Sequence, residues 1–285
     1  MILKIAGIVF SITSDISLRS SPADSIDKSF FSTGTPDTSI CFHFMKLEKY
    51  EPHPNSLLFS RKDICNVYSE YGDLVMISGE QRNPQLTARI AKDFTYVDVF
   101  IGSDGESLFN DKDVSLLLGY PPVRFILSGL LIQRGGLLVH GCGIERHSKG
   151  YLFAGKSGDG KSTIAKLWEE EAEILNDEFI ALVFHEGQYK IYGTPWTGND
   201  SEGLYGGYPL ENLFFLHHSS TNAARKVAGT MAASMLFARC FAPIWYKKGI
   251  DLTLDVVEHL VRHVPCYNLG FRPDKSVIDY VQDFK

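Results

Sequence analysis

Tyr151 to Trp168 reads YLFAGKSGDGKSTIAKLW, and inside it Gly155 to Ser162 completes the pattern G-x-x-x-x-G-K-S. An apolar run (Tyr151, Leu152, Phe153, Ala154) precedes the glycines, and a helix-like run from Thr163 to Glu173 follows them. A strand, a glycine-rich turn and a helix in that order make a phosphate-binding loop. The glycines let successive backbone N–H groups turn inward around phosphate oxygens, so Gly155, Lys156, Ser157, Gly158, Asp159, Gly160, Lys161, Ser162 and Thr163 are the expected nucleotide-binding residues. Lys161 brings a compact positive charge to the outer phosphates, and Ser162 offers a hydroxyl to Mg²⁺. The expected ligand is a nucleoside triphosphate or diphosphate.

Working outward, Asp177 and Glu178 follow Lys161 by about one helix and a turn, at the head of the apolar run Phe179 to Phe184. An acidic pair there can sit beside the phosphates. One carboxylate then reaches Mg²⁺, directly or through water, and the other accepts a proton from an attacking hydroxyl. The plain alternative is a solvated turn before a strand. His140 lies within the apolar run Leu137 to Ile144, followed by Gly141; alone, a histidine in such a run reads as a satisfied core residue.

The segments around the loop are hairpins. Leu137 to Ile144 and Tyr151 to Ala154 are joined by the polar turn Glu145 to Gly150, and Phe179 to Phe184 and Tyr189 to Tyr192 are joined by Glu186-Gly187-Gln188. Adjacent hairpins predict an α/β fold whose sheet is mixed and largely antiparallel, unlike the parallel crossovers of a Rossmann-like domain. Upstream, short strand-like runs (Ile5 to Ile12, Ile16 to Leu18, Ser39 to Phe44, Ser56 to Phe59, Asn66 to Tyr71, Leu74 to Ile77, Tyr96 to Ile101) predict a smaller β-rich N-terminal domain over 1–112. Its His43, His53 and acidic residues read as solvated or structural. Val114 to Arg134, apolar at helical spacing around a Pro121-Pro122 break, leads into a second domain over 113–285.

Composition narrows the classes. The 285 residues carry a net charge of −6 with scattered basic residues, which disfavours nucleic acid and an anionic membrane surface as partners. Five cysteines (Cys41, Cys65, Cys142, Cys240, Cys266) without a C-x-x-C pair point to reduced thiols, with neither a disulfide framework nor a zinc site expected. No run reaches bilayer length, and Ile5 to Ile12 lacks the flanks of a signal core. The expectation is a cytoplasmic protein, with homo-oligomerisation left open.

The sequence LLVHGCGIERHSKGYLFAGKSGDGKSTIAKLW (Leu137 to Trp168), followed by ILNDEFIAL (Ile174 to Leu182), resembles the catalytic domain of HPr kinase/phosphorylase and related HPr-kinase-like proteins. The resemblance covers about residues 130 to 195. It implies a phosphoenolpyruvate-carboxykinase-like P-loop fold and an ATP- and Mg²⁺-dependent kinase acting on a serine hydroxyl. Within it His140 matches the active-site histidine, Lys161 the loop lysine, Ser162 the magnesium ligand and Asp177 the carboxylate that deprotonates the acceptor. Glu178 stands where the family has a second Asp, keeping the charge with one more methylene. Downstream the match loosens, and Glu202 is the nearest counterpart of a metal-completing glutamate. The segments GTPW, FARCFAPIWY and VPCYNLGFRPDKSVIDYV look more like the HPr-kinase-like proteins of peptide-modification systems, lasso-peptide kinases among them. The implied acceptor is thus a modified-peptide precursor or an HPr-like protein. Trp196 is then either a residue stacking on nucleotide or peptide, in a rigid loop over the acceptor, or a buried tryptophan beside a tight turn. Arg239 and Arg272 are either charge-stabilising groups or ion-paired surface arginines.

Two rival readings stay open. One is a small-molecule hydroxyl kinase on the same scaffold. The other is a nucleotide-regulated binding protein without phosphotransfer, which would not require a general base such as Asp177.

Overall fold

The structure is a computed structural model describing residues 1–15, 26–44, 52–53, 55–61, 65–80, 83–101, 121–196, 203–245 and 247–282. By internal contacts the chain divides into Met1–Leu130 with Ile244–Lys247, and Leu131–Pro243 with Lys248–Lys285. The division falls inside a helix, whereas residue 112 lies outside the described residues. At the level of class the α/β expectation holds: two large mixed sheets dominate, with short helices. Among the described residues no helix is long and apolar enough to cross a membrane.

The N-terminal unit is an 8-stranded sheet ordered β1-β2-β3-β8-β7-β6-β5-β4. Its strands are β1 (Ile2–Ile5), β2 (Ile8–Ser14), β3 (Thr38–Phe44), β4 (Leu57–Arg61), β5 (Cys65–Glu70), β6 (Asp73–Glu80), β7 (Asn83–Ile90) and β8 (Tyr96–Ile101). What reads as one strand over Ile5 to Ile12 is a hairpin. Ala6 and Gly7 turn at φ 49° and 85°, the left-handed pair that a tight hairpin needs. Strand β7 escapes the sequence reading because Pro84 demotes its run to a turn. In the sheet Pro84 sits opposite Gly79 at a register shift, where the ladder is already interrupted and no N–H is needed. Strand alternation buries Ile40, Phe42, Val97 and Val99 and leaves Cys41, His43 and Asp98 half-buried on the opposite face. The Ile16 to Leu18 run lies outside the described residues.

Helix α1 (Pro121–Gln133) begins at the proline pair and is not broken by it, since the first turn has no use for their missing N–H groups. It leads into the second sheet, ordered β10-β9-β12-β13-β14-β16-β15 with β11 added on β9. These strands are β9 (Gly136–Arg146), β10 (Lys149–Ala154), β11 (Glu173–Asn176), β12 (Phe179–His185), β13 (Gln188–Tyr192), β14 (Gly206–His218), β15 (Ala223–Val227) and β16 (Cys266–Phe271). Both expected hairpins are present, β9 with β10 and β12 with β13, each antiparallel. Long β14 pairs β13 along its first part, then runs parallel to β10 and β16. Strands β9, β12, β13, β14 and β10 therefore pair in a closed cycle.

Helices cover this sheet on two sides. One apolar cluster joins Val139, Leu152, Ile180 and Leu213 to Ala232 and Leu236 of α3 (Gly229–Phe237) and to Val257 and Leu260 of α4 (Lys247–His263). The other joins Phe153, Phe214 and Leu269 to Ile164 and Trp168 of α2 (Lys161–Trp168) and to Val277 and Val281 of α5 (Ser276–Gln282). Burying the β10 and β14 side chains on both faces fixes the end of β10. The glycine loop leaves from that point.

Candidate functional site

The loop residues 155–160 connect β10 to α2, the placement their sequence order demands. Gly158 and Gly160 hold φ values of 89° and 97°, which a side chain would strain. A Cβ on Gly160 would also meet the Phe271 ring at 2.7 Å. Gly160 caps α2 without a side-chain hydrogen bond, so its end offers backbone N–H groups outward. Ser162 and Thr163, on the first turn of α2, are exposed, as are Lys156, Ser157 and Gly158.

Two contacts shape the loop from within and one from afar. The Asp159 carboxylate accepts the Lys156 amide at 2.6 Å, an anionic oxygen already seated on a loop N–H. Lys161 Nζ donates to the Lys156 carbonyl at 3.0 Å. From the end of β14, His218 Nε2 meets the Gly158 carbonyl at 2.6 Å. Lys161 is buried, and burial pulls its ammonium below its ordinary range. The charges of Glu178, Asp159 and Asp177, in falling order, act against that.

The acidic turn is held by a residue the sequence reading passed over. Asn176, fully buried at the end of β11, accepts the amides of Glu178 at 2.7 Å and Phe179 at 2.8 Å through Oδ1. Its Nδ2 donates to the carbonyls of Thr194 at 3.0 Å and Trp196 at 2.6 Å. Donors and acceptors of the amide are thus all used. Thr194 closes the same knot by donating its hydroxyl to the Phe179 carbonyl at 2.8 Å. The peptide that carries Asp177 is fixed from both sides, and Asp177 is buried within the electrostatic reach of Lys161 and Cys142. Burial, with Asp177 adding to it, pushes the Cys142 thiol up.

His140 lies on β9 directly across from Phe179, with Nε2 3.4 Å from Glu178 Oε1. Burial lowers its pKa from the usual 6.5, Lys161 lowers it further, and Glu178 opposes both. The structure therefore gathers His140, Lys161, Asp177 and Glu178 around one loop. Glu202, the third expected metal ligand, lies outside the described residues.

Arg239 also arrives here, by a route that its neighbours in sequence do not reveal. It follows the end of α3, and its carbonyl accepts the His140 amide at 2.8 Å. Its guanidinium is almost buried over the Phe215 ring, with Nη2 3.8 Å from the Asp159 carboxylate. Arg272 does not join the group: it is exposed and paired with Asp274 ahead of α5. Trp196 takes the second of its two readings, buried and edge-on to Phe179 at 6.2 Å.

The arrangement can hold a polyanion on the loop amides and Lys161, with carboxylates beside it to bind a divalent cation or take a proton. No family model matches the chain, and no curated protein matches it. Among solved structures, the Hpr(Ser) kinase/phosphatase from Coxiella burnetii is similar at a TM-score of 0.32 and 9% identity, over 51% of this chain and 93% of that one. A likeness at that score carries no argument about activity.

Proposed function

We propose that the chain is an ATP- and Mg²⁺-dependent, HPr-kinase-like enzyme that transfers a phosphoryl group to a serine hydroxyl of a peptide or protein. One observation carries the reading: the turn bearing Asp177 is locked by Asn176 beside Lys161, at the mouth of a strand–loop–helix phosphate cradle. A protein that only sensed nucleotide would not require a general base there.

In this reading the loop amides and Lys161 bind the nucleotide phosphates, and the cradle fits an anion because the Lys156 amide already holds a carboxylate oxygen. Ser162 and Asp177 would hold Mg²⁺, with Glu202 as the third candidate, and the ion would supply positive charge against the negative charge that develops on transfer. Asp177 accepts the proton of the attacking serine hydroxyl. Glu178 faces His140 and keeps that edge of the site negative. The protein or peptide acceptor is supported by the sequence resemblance of Leu137 to Leu182 and of the later segments GTPW, FARCFAPIWY and VPCYNLGFRPDKSVIDYV, and the cytoplasmic setting by five cysteines without a C-x-x-C pair.

Calorimetric titration with Mg·ATP tests the cradle. Wild type binds, and Lys161→Ala loses at least about tenfold in affinity, the worth of one charge-assisted contact. Equal affinity in the two proteins would remove the loop from the account.

A further inference from the structure

A cluster of side chains whose ligand atoms could hold a metal ion stands in the N-terminal unit, away from any motif. Cys41 and His43 are two apart on β3, so both point to the same, half-exposed face of the sheet. Parallel pairing with β8 sets Asp98 directly beside Cys41. The Cys41 thiol, a His43 ring nitrogen and an Asp98 carboxylate oxygen all lie within 4.8 Å of one another. We propose that Cys41, His43 and Asp98 bind a divalent cation of the zinc type, with Asp15 orienting the histidine from behind.

The donor set argues for the ion. A thiolate, an imidazole and a carboxylate together suit Zn²⁺ and its spectroscopic substitute Co²⁺ and disfavour Mg²⁺ or Ca²⁺, which take oxygen ligands alone. Tetrahedral zinc at ordinary bond lengths places its ligand atoms roughly 3.3 to 3.7 Å apart, so the cluster needs only small adjustments. His43 Nε2 and Asp98 Oδ1, now 2.8 Å apart, would separate slightly to admit the ion.

The surroundings resemble the outer shell that metal-bound histidines have. With Nε2 turned to the ion, His43 Nδ1 faces the Asp15 carboxylate at 3.7 Å, the carboxylate–histidine–metal order. Asp15 is itself held, its Oδ1 accepting the Phe44 amide at 3.1 Å. The Asp98 carboxylate accepts the Tyr96 hydroxyl at 2.7 Å. The His43 ring stacks on Phe100 with centroids 5.0 Å apart. A histidine–aspartate hydrogen bond would by itself account for the 2.8 Å contact. It does not account for a thiol and a second carboxylate set around the same imidazole. The ion would tie β3 to β8, strands adjacent in the sheet but far apart in sequence.

Cobalt titration of the full-length protein tests this, because only a thiolate ligand gives a sulfur-to-cobalt charge-transfer band in the near ultraviolet. Cobalt at the oxygen ligands of the phosphate loop gives none. The expected result is a band saturating at about one equivalent, displaced by Zn²⁺, kept in Cys65→Ser and lost in Cys41→Ser. His43→Ala and Asp98→Asn should each weaken the metal at least about tenfold, and Asp15→Asn by about tenfold. Zinc should also raise the unfolding temperature of wild type and leave that of Cys41→Ser unchanged, a readout independent of the band. A wild type with no band at millimolar cobalt, or a band that survives Cys41→Ser, would overturn the site.

Discussion

Asn176 Nδ2 donates to the Trp196 carbonyl at 2.6 Å, which ties the acidic turn to a segment twenty residues downstream. The bond belongs to a knot in which one buried side chain satisfies two amides and two carbonyls. Asn176→Ala would strand those groups in a dry interior. The expected cost is about 2 to 4 kcal/mol, read by urea unfolding of the full chain. At temperatures where the variant stays folded, Mg·ATP should still bind while phosphotransfer drops, since the loop is intact and the Asp177 turn is not. A variant as stable and active as wild type would make the knot incidental.

The Asp159 carboxylate occupies a loop amide and faces Arg239. Phosphate arriving in the same cradle meets that negative charge. Asp159→Asn keeps an oxygen for the Lys156 amide and removes the charge, so Mg·ATP affinity should rise about threefold to tenfold, with a weaker dependence on salt. Weakened binding on calorimetry would mean instead that Asp159 supports the bound loop.

His140 gives a pH prediction with a definite sign. Burial and Lys161 hold its folded-state pKa below the unfolded value of about 6.5. A depressed pKa contributes stability that is complete above 6.5 and is lost as pH falls through the folded value. Between pH 7.5 and 5, wild type should lose stability relative to His140→Gln, which has no such proton to take up. Parallel stability curves for the two proteins would contradict the burial argument.

Much of this was legible in the sequence where the physics is local. The glycines of the loop, the flanking strand and helix, and the hairpins on each side depend on neighbours a few residues away, and those signals are strong. What escaped depends on distant pairing. Asn176 looks like an ordinary turn residue until Thr194 and Trp196 supply its acceptors. His218 reaches Gly158 only because β14 runs parallel to β10. Pro84 hides β7 until its place opposite a bulge is known. Cys41 and His43 could be seen as an alternating pair, but the Asp98 beside them is set by strand register, which the sequence does not show.

The central claim is that Asp177 is the base of a phosphoryl transfer from nucleotide to a serine hydroxyl. It is tested by single-turnover transfer of labelled phosphate from Mg·ATP to candidate precursor peptides and HPr-like proteins, with Asp177→Asn beside wild type. The side chain keeps its shape in that variant and loses its basicity. Mg·ATP should still bind, within about tenfold because a metal ligand is weakened, while transfer by wild type to at least one serine acceptor falls at least about a hundredfold in the variant. Transfer at equal rates in the two proteins, or nucleotide bound by wild type with no phosphate passed to any serine acceptor, would contradict the account.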